Sequence, residues 1–131
     1  MAGEADGSPG RGFLPGQYPI EAYGDGGFRF GGMSHRGSIL ALPSGMRAWP
    51  VAAVADFDRA AFAAVLAEAA SIELLLVGTG VDPAHLSEQL RWMFQEARIG
   101  VDSMTTPAAA RTYNVLVAEK RRVAAALIAV A

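Results

Sequence analysis

The chain has 131 residues, 52% of them hydrophobic, which is one domain's worth of chain with enough apolar side chains for a real core. Eleven basic against thirteen acidic residues give a net charge of −2, without the basic excess that nucleic-acid binders carry. No cysteine is present, which excludes disulfides, thiolate-bound metal and thiol chemistry.

Met1 to Gly12 holds five glycine or proline residues and almost nothing apolar. It lacks the apolar stretch of a signal peptide and reads as a disordered tail. The expected organisation is therefore a tail over 1–13 and a single α/β domain over 14–131.

From Tyr18 to Pro50 glycine, aromatic residues and proline dominate. Tyr18 to Tyr23 reads as a strand, with Pro19 at its start or on an edge. Gly24-Asp25-Gly26-Gly27 is a turn signal. Phe28-Arg29-Phe30 alternates as a half-buried strand does, and Gly31-Gly32 marks a bulge or bend. Ser38 to Leu42 is a short apolar strand stopped by Pro43. Met46 to Val54 holds one more, carrying Trp49.

The period changes at Asp56. Asp56 or Asp58 caps a helix whose apolar stripe is Phe62, Val65, Leu66 and Ala69. Ser71 to Val77 is a buried strand. Asp82 and Pro83 open a second helix with Leu86, Leu90, Met93 and Ala97 on its core face, and Gly100 suits its C′ position. Val101 begins another strand, and Thr106-Pro107 starts a third helix with Thr106 as cap. Pattern alone allows that helix to run to the C-terminus. The charged break Lys120-Arg121-Arg122, followed by a run without a polar face, favours a final buried strand instead. Alternating strands and helices after Asp56 predict a central mixed, mostly parallel sheet, with helices packed on it and an additional N-terminal β layer, in three layers.

The candidate site lies at the carboxyl end of the predicted parallel strands, where open α/β sheets bind ligands. Gly78, Thr79 and Gly80, with Thr106 and Arg111, form a plausible anion cradle. Asn114 lies one turn beyond Arg111 on the same side. The alternative is that the glycines allow tight turns, Thr106 is only a cap, and Arg111 pairs with a carboxylate such as Asp102. Tyr113 either closes the crevice or packs with its hydroxyl on a backbone group. The loop lacks the Lys-Ser/Thr of a phosphate-binding loop and the full dinucleotide fingerprint.

No serine sits in a nucleophile elbow, and the two histidines, His35 and His85, lack a ligand pattern. Catalytic residues, cofactors and metal are therefore expected to be none. Trp92 has Glu88, Gln89, Gln95 and Glu96 as its helical neighbours. It falls on a polar face, as a partner-interface residue does, unless the tail or a sheet edge covers it.

The blocks Ile20 to Tyr23, Gly27 to Phe30, Gly37 to Leu40, Val77 to Gly80, Ile99 to Val101, Ala108 to Asn114 and Arg122 to Ile128 occur in that order with characteristic spacing. Across about residues 17 to 130 the chain resembles the family of the mitochondrial NADH:ubiquinone oxidoreductase (complex I) assembly factor 3 and its bacterial and archaeal relatives of unknown function. The resemblance implies a three-layer fold around a mixed sheet. It also implies a non-enzymatic interaction protein whose partners are respiratory-complex subunits or assembly factors at the inner membrane. Thr105 stands where that family often has Asp, and Ala110 where many members have Cys, which weakens any shared catalytic role.

The expected function is thus an interaction protein assisting assembly of a respiratory or other membrane complex. The rival is a small anionic-ligand binder or enzyme at the Gly78–Arg111 crevice. A bacterial, cytoplasmic protein with at most peripheral membrane contact is expected, without nucleic acid, and with a homodimer left open.

Overall fold

A computed structural model describes residues 13–131. Of the expected tail over 1–13, residues 1–12 lie outside the described residues, and Phe13 opens the first strand. Nine strands and three α-helices follow in the order β1 (Phe13–Pro15), β2 (Ala22–Gly24), β3 (Gly27–Phe30), β4 (Met33–Arg36), β5 (Ile39–Leu42), β6 (Gly45–Ala48), α1 (Ala63–Ala67), β7 (Leu74–Gly78), α2 (Glu88–Glu96), β8 (Gly100–Met104), α3 (Thr106–Ala118) and β9 (Val123–Leu127). Six strands form the central sheet in the order β1-β6-β5-β9-β7-β8, and β2-β3-β4 form a second, antiparallel sheet. Strands β7, β8 and β9 are parallel to one another, while β5 runs antiparallel to β9. The sheet is therefore mixed, as the alternation predicted.

Period-two alternation splits the core into two halves. Leu40, Leu42, Leu75, Val77, Ala124 and Ala126 face one side, against Phe62, Val65, Leu90, Met93 and Phe94. Ile39, Ala41, Leu76, Val123, Ala125 and Leu127 face the other, against Ala109, Ala110 and Tyr113 of α3 and Phe28 and Phe30 of β3. Helices α2 and α3 thus cover opposite faces. This follows from two right-handed crossovers that travel in opposite directions along the sheet, out to the edge strand β8 and back to β9. Strand β9 is central and wholly buried, so its lack of a polar face marks a strand covered on both sides. The chain leaves α3 through Lys120, whose φ of 61° ends the helix where the charged break begins.

Several local expectations are corrected. The predicted strand over 18–23 is reduced to Ala22–Gly24. Gly31 and Gly32 are the two-residue turn of a hairpin, both at positive φ, with Phe30 opposite Met33. That turn makes a strand of the polar segment Met33–Arg36, which its own residue pattern does not announce. The segment after Trp49 is not a strand but a series of short turns. Asp56 Oδ2 accepts from the N–H groups of Ala52 and Ala53, and Asp58 Oδ1 accepts from Ala61. Asp82 and Pro83 do not open α2. Thr79 Oγ1 donates to the Asp82 carbonyl and Ser103 Oγ donates to that of Ala84, holding this stretch as a loop against β8. Ser87 is the cap, its Oγ accepting from the Leu90 N–H. Arg98, not Gly100, takes the left-handed position after α2, at φ 62°. Gly100 already belongs to β8, paired with Leu74.

An aromatic cluster fills the α1 side of the core. Phe62 packs edge-on against Phe94 with ring centroids 5.1 Å apart, and Trp49 and Phe57 close around it. The Trp49 indole N–H donates to the Ala61 carbonyl at 2.7 Å, so this buried polar group is satisfied.

On the opposite side His35 tilts against Phe30, and its Nε2 lies 3.3 Å from the Ser38 carbonyl. Burial holds its pKa below the ordinary 6.5, a shift that contact with the carbonyl partly opposes. The depressed value favours the folded state while His35 is neutral. That contribution is present above pH 6.5 and is lost as pH falls toward the folded-state pKa. Urea unfolding at a series of pH values is expected to show stability declining below pH 6.5, with a flatter profile in His35→Gln. An identical decline in that variant would refute the assignment.

Candidate functional site

The ends of β7, β8 and β9 come together at the start of α3, and there the Gly78-Thr79-Gly80 loop meets Thr105 and Thr106. The residues predicted to form a cradle do converge, but they are bonded to one another. The Thr106 hydroxyl, fully buried, donates to the Ile128 carbonyl at 2.7 Å and accepts from the Gly80 N–H at 3.0 Å. The Thr106 N–H returns a bond to the Gly80 carbonyl, the Thr79 N–H donates to the Met104 carbonyl, and the single Thr79 hydroxyl proton is shared between the Asp82 carbonyl at 2.7 Å and the Met104 carbonyl at 3.1 Å. The Ile128 N–H donates to the Gly78 carbonyl. Thr105, rather than Thr106, is the helix cap, accepting from the Ala108 N–H. The N–H groups of Thr79, Gly80, Thr106 and Ala108 therefore each have a protein acceptor. Gly78 is needed for close approach: an added Cβ would lie 2.9 Å from both Thr106 Cα and Leu127 Cδ2.

Arg111 stands apart from this knot, exposed on α3 and without an ion pair among the described residues; the alternative pairing with Asp102 is not formed. Asn114 points the other way. Its Oδ1 accepts from the Ile20 N–H at 2.7 Å and its Nδ2 donates to the Ile20 carbonyl at 2.8 Å. Beside it Tyr113 is fully buried and donates to the Tyr18 carbonyl at 2.7 Å, and burial pushes its phenol pKa well above the ordinary range. The Tyr113-Asn114 pair thus seats the 18–20 segment on α3, and a packed Tyr bonded to backbone is the alternative that holds.

Trp92 sits midway along α2 and is 57% exposed, pointing away from Leu90, Met93 and Phe94. Glu88, Gln89, Gln95 and Glu96 around it are exposed as well. Among the described residues the other large exposed apolar side chains are Tyr23, Met33, Val81 and Val115.

One concavity was not anticipated from the sequence. A groove of about 490 Å³ lies along the β2-β3-β4 sheet, lined by Tyr23, Arg29, Ser34, His35 and Arg36 among others. Arg29 bridges Glu21 at 3.4 Å and donates to Ser34 Oγ at 3.1 Å. The groove depends on β4, so nothing in the local pattern pointed to it. Among the described residues no group of three or more His, Asp or Glu lies where it would hold a metal ion, and no helix is long and apolar enough to cross a membrane.

With this geometry in view, the chain matches over residues 20–128 the family described as protein of unknown function (DUF498/DUF598). It belongs to that family. An uncharacterized protein of Rhodobacter capsulatus is 41% identical to it over 113 residues, covering 86% of each chain. The NADH dehydrogenase (ubiquinone) 1 alpha subcomplex assembly factor 3 of Danio rerio is 31% identical over 109 residues, 83% of this chain. The match spans 63% of that relative's length. The resemblance to the assembly factor 3 family thus extends over most of the domain. The crystal structure of an outer membrane protein from Bartonella henselae superposes with a TM-score of 0.86 at 50% identity, covering 89% of this chain and 98% of that one.

Proposed function

We propose that this DUF498/DUF598 protein is a non-enzymatic interaction protein that assists assembly of a respiratory or other membrane complex. The observation that carries the reading is the similarity to relatives named as complex I assembly factors, at 31% identity over 83% of the chain. Two features of the molecule support it. The polar groups at the carboxyl end of the parallel strands bond to one another, and Trp92, the most exposed large aromatic side chain among the described residues, stands on an otherwise polar helix face, where an interface residue is expected.

The test is an affinity-tagged pull-down from native cells with the membrane fraction retained, using wild type, Trp92→Ala and Arg111→Ala. Recovery of respiratory-complex subunits or assembly factors by wild type, lost with Trp92→Ala and kept with Arg111→Ala, is the expected result. Recovery of the protein alone would sink the stable-partner reading. Titration of wild type and Arg111→Ala with inorganic phosphate would then examine the rival anionic-ligand reading at the α3 rim.

A further inference from the structure

Helix α2 presents one stripe to solvent that its packing does not use. Its core face is Leu90, Met93 and Phe94, and Trp92 points to the opposite side, at the midpoint of Glu88–Glu96. Glu88 lies one turn before the indole and Glu96 one turn after it, about 6 Å away along the axis in each direction. Both carboxylates are exposed, and neither makes an ion pair or hydrogen bond among the described residues. Arg91 is the basic residue on the flank of the stripe, and Gln89 and Gln95 fill its sides.

This pattern decides between occupants. A second copy packing α2 on α2 about a two-fold axis through Trp92 would set Glu88 against Glu96 of the other copy, twice, and like charges at that spacing repel. A nucleic acid or an anionic lipid surface would meet the same two carboxylates. A cationic side chain is attracted by both carboxylates and meets a like charge only in Arg91, on the flank of the stripe. A guanidinium or ammonium group stacks on the face of an indole, and further basic residues one turn to either side reach Glu88 and Glu96. We infer that the Trp92 stripe of α2 docks a segment of a partner protein rich in Arg or Lys. The inference rests on the interaction-protein reading and names the chemistry of the partner it calls for.

The test titrates the full chain with a synthetic peptide alternating Arg and Leu and with its Glu and Leu counterpart, reading binding by calorimetry and by tryptophan emission, to which Trp49 also contributes. Saturable binding of the Arg peptide alone is expected. It should be about tenfold weaker in Trp92→Ala and similarly weakened in the double variant Glu88→Gln/Glu96→Gln, whose remaining binding should depend less on salt. Equal binding of both peptides, no binding of the Arg peptide, or indifference to the double variant would overturn the inference. A dimer in sedimentation velocity that Trp92→Ala abolishes would also overturn it, in favour of a second copy. The two readings fail separately. A pull-down partner lost with Trp92→Ala, without Arg-peptide binding, leaves the interaction reading standing and removes this one. Arg-peptide binding through Trp92, without any cellular partner, removes the stable-partner reading and with it the partner, and leaves only the stripe's selectivity for basic segments.

Discussion

Gly78→Ala is expected to destabilise the domain by about 3 kcal/mol, as overpacking compounded by broken buried hydrogen bonds. The new methyl carbon would sit 2.9 Å from Thr106 Cα, Thr106 Oγ1 and Leu127 Cδ2. Little can give way. Gly78 is paired with Met104 on one side and Leu127 on the other, and its carbonyl accepts from Ile128. Relief requires the first turn of α3 to lift from the sheet, which pulls the Thr106 hydroxyl off the Gly80 N–H and the Ile128 carbonyl. Gly32→Ala is the control. Gly32 has φ 74° with nothing within 4 Å of an added Cβ, so it should lose only the roughly 1 kcal/mol of a left-handed alanine. Urea unfolding of both variants checks this. Equal midpoints for the two would show that Gly78 is not a packing glycine. Thr106→Val should fall well below Thr106→Ser in stability, because it removes the hydroxyl and leaves a buried N–H and a buried carbonyl unpaired.

Tyr113→Ala is expected to cost about 3–5 kcal/mol, the range for emptying a large aromatic site in a core. Tyr113 is fully buried among Ile39, Met46, Leu127 and other residues that join the central sheet to β3. Tyr113→Phe keeps the ring and removes the hydroxyl, with its bond to the Tyr18 carbonyl and its weak contact to Met46 Sδ, and should cost about 1–2 kcal/mol. Asn114→Ala breaks both bonds to the Ile20 backbone and should fall between them. Hydrogen exchange at the Ile20 N–H supplies a local readout, with protection lost in Asn114→Ala and largely kept in Tyr113→Phe. If Tyr113→Phe is as damaging as Tyr113→Ala, the ring's packing is not the main contribution.

Much of this architecture is legible in the chain because it rests on local periodicity. The three-to-four-residue spacing of Leu86, Leu90, Met93 and Ala97, of which Leu90 and Met93 fall within α2, locates the core side of that helix and, by elimination, the exposure of Trp92. The unbroken apolar run after Arg122 is what a strand buried on both faces requires, and β9 lies at the centre of the sheet with neighbours on each side. The ordered set of seven short blocks between Ile20 and Ile128 is enough to show kinship. These are properties that each segment carries wherever it is placed.

Pairings decided the rest. Met33–Arg36 has no strand pattern of its own and becomes β4 because a two-glycine turn lays it against β3, creating the groove there. Ser87 displaces Asp82 and Pro83 as the start of α2 because the hydroxyl of Thr79, arriving from β7, holds the Asp82 carbonyl in a loop. The candidate cradle follows the same logic. Its glycines and threonines are of the types that hold anions, and they do meet at the end of the parallel strands. Whether their N–H groups face a ligand depends on Ile128 and Met104, distant in sequence, and those two residues accept the Thr106 hydroxyl and Thr79 N–H bonds that tie the loop shut. Sequence determines which donors are available and which faces are apolar, since both are set by residue type and spacing. The tertiary structure alone decides which acceptor reaches each donor, because a hydrogen bond between segments depends on how the strands and helices pack.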